Sequence, residues 1–194
     1  ESDCQNALER VAAIGRDPSF SAAGRRHEPS QAGHPQKIRD YELLEKLGEG
    51  GMGAVYKALH TQLQKVVALK ILPATSMRDE SAVARFKREM KAVGKLEHPN
   101  IVAAMDAGED QGVHYLVMQY VDGLDLSTLV QRVGPLADAD ACDLIRQAAE
   151  GLQHAFEMGM VHRDIKPHNL MLAESGQVRI LDFGLAGFAA DSAL

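Results

Sequence analysis

At 194 residues, with 45% hydrophobic and 25% charged side chains, the chain has the make-up of a soluble globular protein: one large domain, or a small domain plus a tail. The net charge of −6 is unevenly spread: residues 1–40 are neutral, residues 41–100 carry +3 and residues 101–194 carry −9. The basic stripe of a nucleic-acid binder is therefore missing, and no apolar run reaches the roughly 18 residues needed to span a bilayer.

Glu1 is followed by no signal-like apolar stretch, so a cytoplasmic setting is expected. Cys4 and Cys142 belong to no CxxC pair, which argues against a zinc site or a disulfide framework and for two free thiols. Residues 1–15 suit a short helix, with Leu8, Val11, Ala12 and Gly15 on one side, that is marginal alone. Residues 16–36 are rich in Gly, Pro, Ser, His and Arg and read as a linker, with ordered structure starting near Ile38.

Tyr41, Leu43 and Leu47 alternate as in a strand and run into a glycine-rich stretch. Val55–Leu59 and Val66–Leu72 are apolar and β-branched enough for two more strands, the second ended by Pro73. Val83, Phe86, Met90, Val93 and Leu96 recur at helical spacing and predict a helix from about Asp79 to Leu96, broken by His98-Pro99-Asn100. Ile101–Met105 and Val113–Tyr120 read as strands four and five, joined by a Gly/Asp turn.

Beyond Asp122-Gly123 the pattern turns helical. Leu126–Val133 suits a short helix. A longer one is expected over Asp138–Met158, with Leu144, Ile145, Ala148, Leu152, Ala155 and Phe156 on one face and Asp residues near its start favouring the dipole. Leu170–Leu172 and Val178–Leu181 look like a short hairpin.

Four blocks carry chemistry. Gly48-Glu49-Gly50-Gly51-Met52-Gly53-Ala54-Val55 fits G-x-G-x-x-G-x-V, in which glycines let backbone N–H groups approach phosphate oxygens without side-chain obstruction. A dinucleotide site would need a helix directly afterwards, and a Walker A loop would need Gly-Lys-Ser/Thr; neither follows here. Val67-Ala68-Leu69-Lys70 puts a lysine in an apolar strand, where it needs an anionic partner. Glu89, flanking the helical stripe beside Met90, is the candidate. His162-Arg163-Asp164-Ile165-Lys166-Pro167-His168-Asn169 and Asp182-Phe183-Gly184 supply carboxylates and an amide, the hard oxygen ligands suited to Mg²⁺.

Each block has a bland reading by itself: a turn, an edge-strand lysine, a solvated helix charge, a surface salt-bridge cluster. Jointly those readings fail. Leaving Glu89 aside, fourteen specified residues match in four ordered blocks. At roughly 6% per residue type, chance agreement is about 10⁻¹⁷.

In this combination the chain from about Tyr41 to Leu194 resembles a eukaryotic-type (Hanks-type) serine/threonine protein kinase of the bacterial branch, ending shortly after Asp-Phe-Gly. The resemblance implies an α+β protein-kinase-like fold. A five-stranded antiparallel N-lobe sheet with one helix would be followed by the first part of a mainly helical C-lobe whose later helices are absent. It divides the chain into an N-terminal extension or linker (1–37), an N-lobe with hinge (38–121) and a partial C-lobe (122–194).

Carried over residue by residue, the resemblance makes Asp164 the group that orients and deprotonates a substrate hydroxyl, and Lys166 the cation on the transferring phosphate. Lys70, paired to Glu89, would hold the α/β-phosphates. Leu47, Gly48, Glu49, Gly50, Gly51, Met52 and Gly53 would cover the nucleotide, and Val55, Ala68 and Met171 would sandwich the purine. Met118 matches the gatekeeper position, the backbones of Gln119 and Val121 the adenine contacts, and Asp125 the ribose-binding acid. Asn169 and Asp182 would hold Mg²⁺, with Mn²⁺ as an alternative. His162 and Phe183 would stack with Val93 and Ala104 in a column joining the lobes.

Two departures stand out: Gln119 replaces a common hinge glutamate, and His168 stands where some basophilic kinases carry an acid. Arg163 suggests control by activation-loop phosphorylation, for which Ser192 is the only hydroxyl after Asp182. No Ala-Pro-Glu motif follows, so the long helix is expected to expose an apolar face and favour self-association.

The implied activity is transfer of the γ-phosphate of Mg-ATP to a protein Ser/Thr hydroxyl, with this chain as the ATP-binding and catalytic front half. The competing reading is a non-catalytic nucleotide-binding or docking module. Nucleic-acid and membrane partners are not expected.

Overall fold

The computed structural model describes residues 37–50, 53–73 and 80–183. The helix expected at 1–15, the linker at 16–36, Gly51, Met52, Asp79, Gly184 and Ser192 lie outside the described residues. Backbone contacts divide the described chain into two compact units, one holding residues up to 96 together with 103–120, the other 97–102 and 121–183.

The first unit is a six-stranded antiparallel sheet with one helix. Its strands are β1 (Lys37–Ile38), β2 (Tyr41–Gly50), β3 (Gly53–His60), β4 (Lys65–Ile71), β5 (Ala104–Asp110) and β6 (Val113–Gln119), in the order β1-β2-β3-β4-β6-β5. The two-residue β1 adds to the five strands expected; it is too short to show a period in sequence. Burial alternates along β3, as period-two patterning requires. Paired residues of antiparallel strands share a face, so the register gives this sheet two distinct surfaces. Ala58, Val67, Leu69, Tyr115 and Val117 point one way and, with Ile38 and Tyr41, form the core cluster. Truncating Leu69, fully buried there, to Ala costs about 2–5 kcal/mol.

Helix α1 (Glu80–Val93) lies on the opposite surface, where Phe86 meets His114 edge-on with ring centroids 5.8 Å apart. Its buried residues Ala82, Phe86, Met90 and Val93 keep the expected spacing, and Glu80 and Lys91 suit the helix dipole. The helix stops at Val93 rather than Leu96. Gly94 follows, and the N–H groups of Lys95 and Leu96 bond three residues back, tightening the last turn.

Strand β5 corrects the expectation of a strand at Ile101–Met105. The acidic, glycine-containing run Ala104–Asp110, read from sequence mostly as turn, pairs with β6 through its backbone while most of its side chains stay in solvent. The actual turn is the pair Gln111-Gly112, with φ of 50° and 81°, as a two-residue hairpin loop requires. Ile101 makes an isolated parallel bridge to Ile180 within the second unit.

That second unit contains β7 (Gly123–Asp125), α2 (Leu126–Val133), α3 (Asp138–Glu157), a 3₁₀ turn (Pro167–Asn169), β8 (Leu170–Ala173) and β9 (Val178–Ile180). The three strands form a small antiparallel sheet in the order β7-β8-β9. A Cβ at Gly123 would sit 2.0 Å from the Leu172 carbonyl oxygen, so glycine there sets how closely β7 approaches β8.

Helix α3 has the expected extent, and the apolar residues expected on one face divide between buried and exposed positions. Leu144, Ala148 and Ala155 are buried together with Asp140, Asp143, Gln147 and Gly151. Ile145 is 57% exposed and Phe156 68%. Hydropathy ranks Ile145 and Phe156 above Asp143 and Gln147, yet the polar pair is buried because its hydrogen bonds are satisfied there. Among the described residues no helix is long and apolar enough to cross a membrane.

Candidate active site

In the sheet unit, the register places four expected ligand-contacting residues on one surface. Val55 is paired with Lys70, and Ala68 with both Lys57 and Met118. Val55, Ala68, Lys70 and Met118 therefore share the surface opposite the core cluster, which is also the side on which α1 packs. Lys70 is only 3% exposed. Glu89 lies one turn beyond Phe86 on α1 and is half-buried. Helix and strand thus bring the two expected partners to the same side of the sheet.

The glycine-rich stretch is a hairpin, with Gly48 opposite Val55, Glu49 opposite Ala54 and Gly50 opposite Gly53. Its glycines differ in role. Gly53 has φ of +107°, and a Cβ there would fall 2.0 Å from the Ile71 carbonyl oxygen, so packing and backbone both demand glycine. A Cβ at Gly48 or Gly50 meets nothing within 4 Å among the described residues. Packing does not call for glycine at those two positions; what glycine leaves there is exposed backbone. Leu47 stands at a β-bulge, where the register shifts between Lys46 and Gly48, and is half-buried. Glu49 at the hairpin is bonded to Lys46.

Gln119 ends β6, its N–H donating to the Ala103 carbonyl at 2.9 Å. Lys57 stands over the Tyr120 ring at 4.8 Å from its centroid, a contact absent from the sequence reading.

In the second unit the catalytic-loop residues form one hydrogen-bonded group. The Asp164 carboxylate accepts from Lys166 Nζ at 2.7 Å and from Asn169 Nδ2 at 3.2 Å. Asn169 Nδ2 also donates to the Asp164 carbonyl at 2.8 Å. The Lys166 ammonium, foremost, holds the Asp164 carboxyl below the usual carboxylate range, with Asn169 adding to the effect. Because Nδ2 is spent on Asp164, the Asn169 amide carries its oxygen as the remaining acceptor.

His162 is buried and connects this group to the next segment. Its Nε2 donates to the Leu181 carbonyl at 2.7 Å, which fixes the tautomer, and its Nδ1 accepts the Asp164 N–H at 3.3 Å. The His162 and Phe183 rings meet edge-on at 4.7 Å. Val93 and Ala104, the other expected members of that column, belong to the sheet unit. The Leu181 N–H donates to the Asn169 carbonyl at 2.9 Å, so Asn169 and Asp182 stand on directly bonded segments. Arg163 and Asp182 have φ of 68° and 60°, a left-handed conformation costing roughly 1–3 kcal/mol each unless the surroundings enforce it.

The amide oxygen of Asn169 and the carboxylate of Asp182 are hard donors of the kind Mg²⁺ takes with phosphate oxygens, so the donor chemistry fits that ion. Among the described residues no three His, Cys, Asp or Glu side chains gather as a metal cage. An ion shared with phosphates needs none.

Asp125 has a second task that sequence reasoning missed. It caps α2, one carboxylate oxygen accepting the Thr128 N–H at 2.9 Å and the other the Thr128 hydroxyl at 2.6 Å. The signal was present as an acid directly before an apolar helical run. Register places Met171 opposite Asp125 across β7 and β8, on the same face of the small sheet. Val121 is buried, and His168 is exposed.

Comparison with known proteins bears on the family. The family model for the protein kinase domain matches residues 41–193. The chain is 39% identical over 146 residues to serine/threonine-protein kinase PrkC of Bacillus subtilis, covering 75% of this chain and 22% of that protein. It is 41% identical over 163 residues to serine/threonine-protein kinase PknB of Mycolicibacterium smegmatis, covering 81% and 26% respectively. The chain thus spans about a quarter of the length of these relatives. Among solved structures, the Mycobacterium tuberculosis PknI kinase domain superposes with a TM-score of 0.67 at 32% identity, covering 75% of this chain and 59% of that one.

Proposed function

The chain belongs to the protein kinase family, and we propose on that footing that it carries the nucleotide-binding and phosphoryl-transfer residues of a serine/threonine protein kinase. The observation that carries the reading is the bonded group Asp164–Lys166–Asn169, an ionised carboxylate held beside a cation and an oriented amide. The relatives' names, serine/threonine-protein kinases, favour it over a non-catalytic nucleotide-binding module.

Asp164, unprotonated at neutral pH, accepts the proton of a protein Ser/Thr hydroxyl and aims its oxygen. Lys166, released from Asp164 as that proton arrives, is placed to balance charge on the phosphoryl group in flight. Lys70, supported by Glu89, binds the α/β-phosphates. The backbone of Gly48, Glu49, Gly50, Gly51, Met52 and Gly53 cradles the phosphates under Leu47. Val55, Ala68, Met118 and Met171 enclose the purine, Gln119 and Val121 offer backbone groups to its edge, and Asp125 accepts from the ribose. Asn169 and Asp182 hold Mg²⁺ or Mn²⁺, which when bound neutralises phosphate charge.

In this assignment residues 38–121 are the nucleotide lobe with its hinge, residues 122–194 begin the substrate lobe, and residues 1–37 precede both. The same reading assigns the activity to the cytoplasm, where ATP is supplied. The exposed Ile145 and Phe156 supply an apolar surface for self-association, expected as concentration-dependent sedimentation that Phe156→Glu weakens.

The test is phosphate transfer from γ-labelled Mg-ATP to casein, by this chain and by a version of it extended to a full-length kinase domain. Transfer should fall about 10²–10⁴-fold with Asp164→Asn. Nucleotide binding without transfer in the extended version would instead support the module reading.

A further inference from the structure

The outer edge of β9, which ends directly before the Leu181-Asp182 pair, is closed half by side-chain amides and half by the backbone of residues 100–102. Four backbone groups of Val178 and Ile180 point away from β8, and each has a partner. The Val178 N–H donates to Gln147 Oε1 at 2.9 Å, and the Val178 carbonyl accepts from Asn100 Nδ2 at 2.8 Å. The Ile180 N–H donates to the Asn100 carbonyl at 2.8 Å, and the Ile180 carbonyl accepts from the Val102 N–H at 3.0 Å. Asn100 Nδ2 also donates to Gln147 Oε1 at 3.3 Å, so the two amides brace one another.

Gln147 is used to capacity. Its oxygen accepts twice, and its nitrogen donates to Asp143 at 3.0 Å and to the Gly176 carbonyl, in the β8–β9 turn, at 3.3 Å. Both amides are buried, Asn100 at 4% and Gln147 at 7% exposure. Only a carboxamide supplies two acceptor and two donor directions from one planar group, and an apolar side chain there would strand a buried N–H of the strand. Arg146 in turn bonds Asp143 at 2.7 Å and anchors the group to the exposed side of α3.

We propose that Asn100 and Gln147 are positioning residues for Asp182. They set the register and height of β9, and through Leu181, bonded to both Asn169 and His162, they set where the Asp182 carboxylate stands relative to the Asn169 amide. The proposal rests on the kinase reading in assigning Mg²⁺ to Asp182, but its structural half is independent of that reading. Neither residue touches the metal or the substrate; both act through β9.

The experiment uses the full 194-residue chain and the variants Gln147→Met and Asn100→Ala. ATP binding is measured by calorimetry with and without Mg²⁺, and amide hydrogen exchange is followed residue by residue. In Gln147→Met the enhancement of ATP affinity by Mg²⁺ should fall about tenfold or more, while metal-free ATP affinity is unchanged. Exchange at 178–182 should accelerate with the amides of α2 remaining protected. An unchanged Mg²⁺ enhancement overturns the positioning role.

A wild-type chain that binds no Mg-ATP removes the assignment of the nucleotide and metal site, not this one. Exchange then decides alone: selective loss of protection at 178–182 supports the positioning role, and unchanged protection overturns it. Should Gln147→Met fail to fold, Asn100→Ala carries the same measurements, because it leaves Gln147 bonded to Val178 and Gly176 and keeps the Asn100 carbonyl on Ile180.

Discussion

The imidazole rings of His98 and His154 stack with centroids 5.1 Å apart and planes 26° from parallel. Burial, foremost, pushes the His98 pKa down, the neighbouring His154 adds to that, and Glu150 opposes it. His98 Nδ1 already accepts the Asn100 N–H at 3.1 Å, so protonation there removes an acceptor as well as creating like charges. A histidine whose folded pKa is depressed binds fewer protons than it does unfolded. Stability is then full above the ordinary value of 6.5 and declines as pH falls towards the folded pKa. The melting temperature should therefore drop between pH 7.5 and 5.5. His154→Phe keeps a stacking ring without a charge and should flatten that slope, which thermal melts across the range would measure.

Lys166 and Asp164 set a second pH dependence. The ion pair holds the Asp164 pKa below its ordinary value, so the proton-accepting form persists further into acid than for a free carboxylate. Lys166→Ala should move the acid limb of the transfer rate towards higher pH and lower the plateau. Asp164→Asn should cost about 10²–10⁴-fold in rate at any pH, the span usual for a general base. A pH–rate profile of the chain extended to a full-length kinase domain distinguishes the two effects.

Gly53 and Gly48 should separate stability from binding. With φ of +107° and a backbone oxygen where Cβ would go, Gly53→Ala should destabilise the sheet unit by about 1–3 kcal/mol or more. Gly48→Ala meets no described residue within 4 Å and should leave the unfolding free energy within about 1 kcal/mol of wild type while weakening ATP binding. Chemical denaturation and calorimetry on both variants give the comparison.

Asp125 serves α2 and, in the proposed site, the ribose. Asp125→Ala should lose about 1 kcal/mol of cap energy as well as nucleotide affinity. Asp125→Ser retains a capping oxygen, so it should restore most of the stability but not the affinity. The deficit should vanish when 2′,3′-dideoxy-ATP replaces ATP.

The sequence carried the fold wherever the chain's own periodicity matched what is buried. Phe86, Met90 and Val93 announced α1, and Val67 and Leu69 announced the core side of β4. It failed where backbone pairing or satisfied polar groups decide burial. Ala104–Asp110 looks like a loop because its strand character comes from β6, not from its side chains. Asp143 and Gln147 gave no sign of burial, because hydropathy has no term for a closed amide network. His98 and His154, and Asn100 and Gln147, are far apart in the chain, and nothing local predicts that they meet. The candidate site was better signalled, since its chemistry demands particular residue types at short spacing in the catalytic loop.

The alternation along β4 has an experimental consequence. Val67 and Leu69 serve the protein's interior, whereas Ala68 and Lys70 face the other way. A saturation scan through this strand, scored separately for cellular abundance and for nucleotide dependence, should yield two interleaved tolerance profiles, each blank where the other is sharp. A phenotype at a given position would then be attributable to loss of the molecule or to loss of its chemistry from its parity alone.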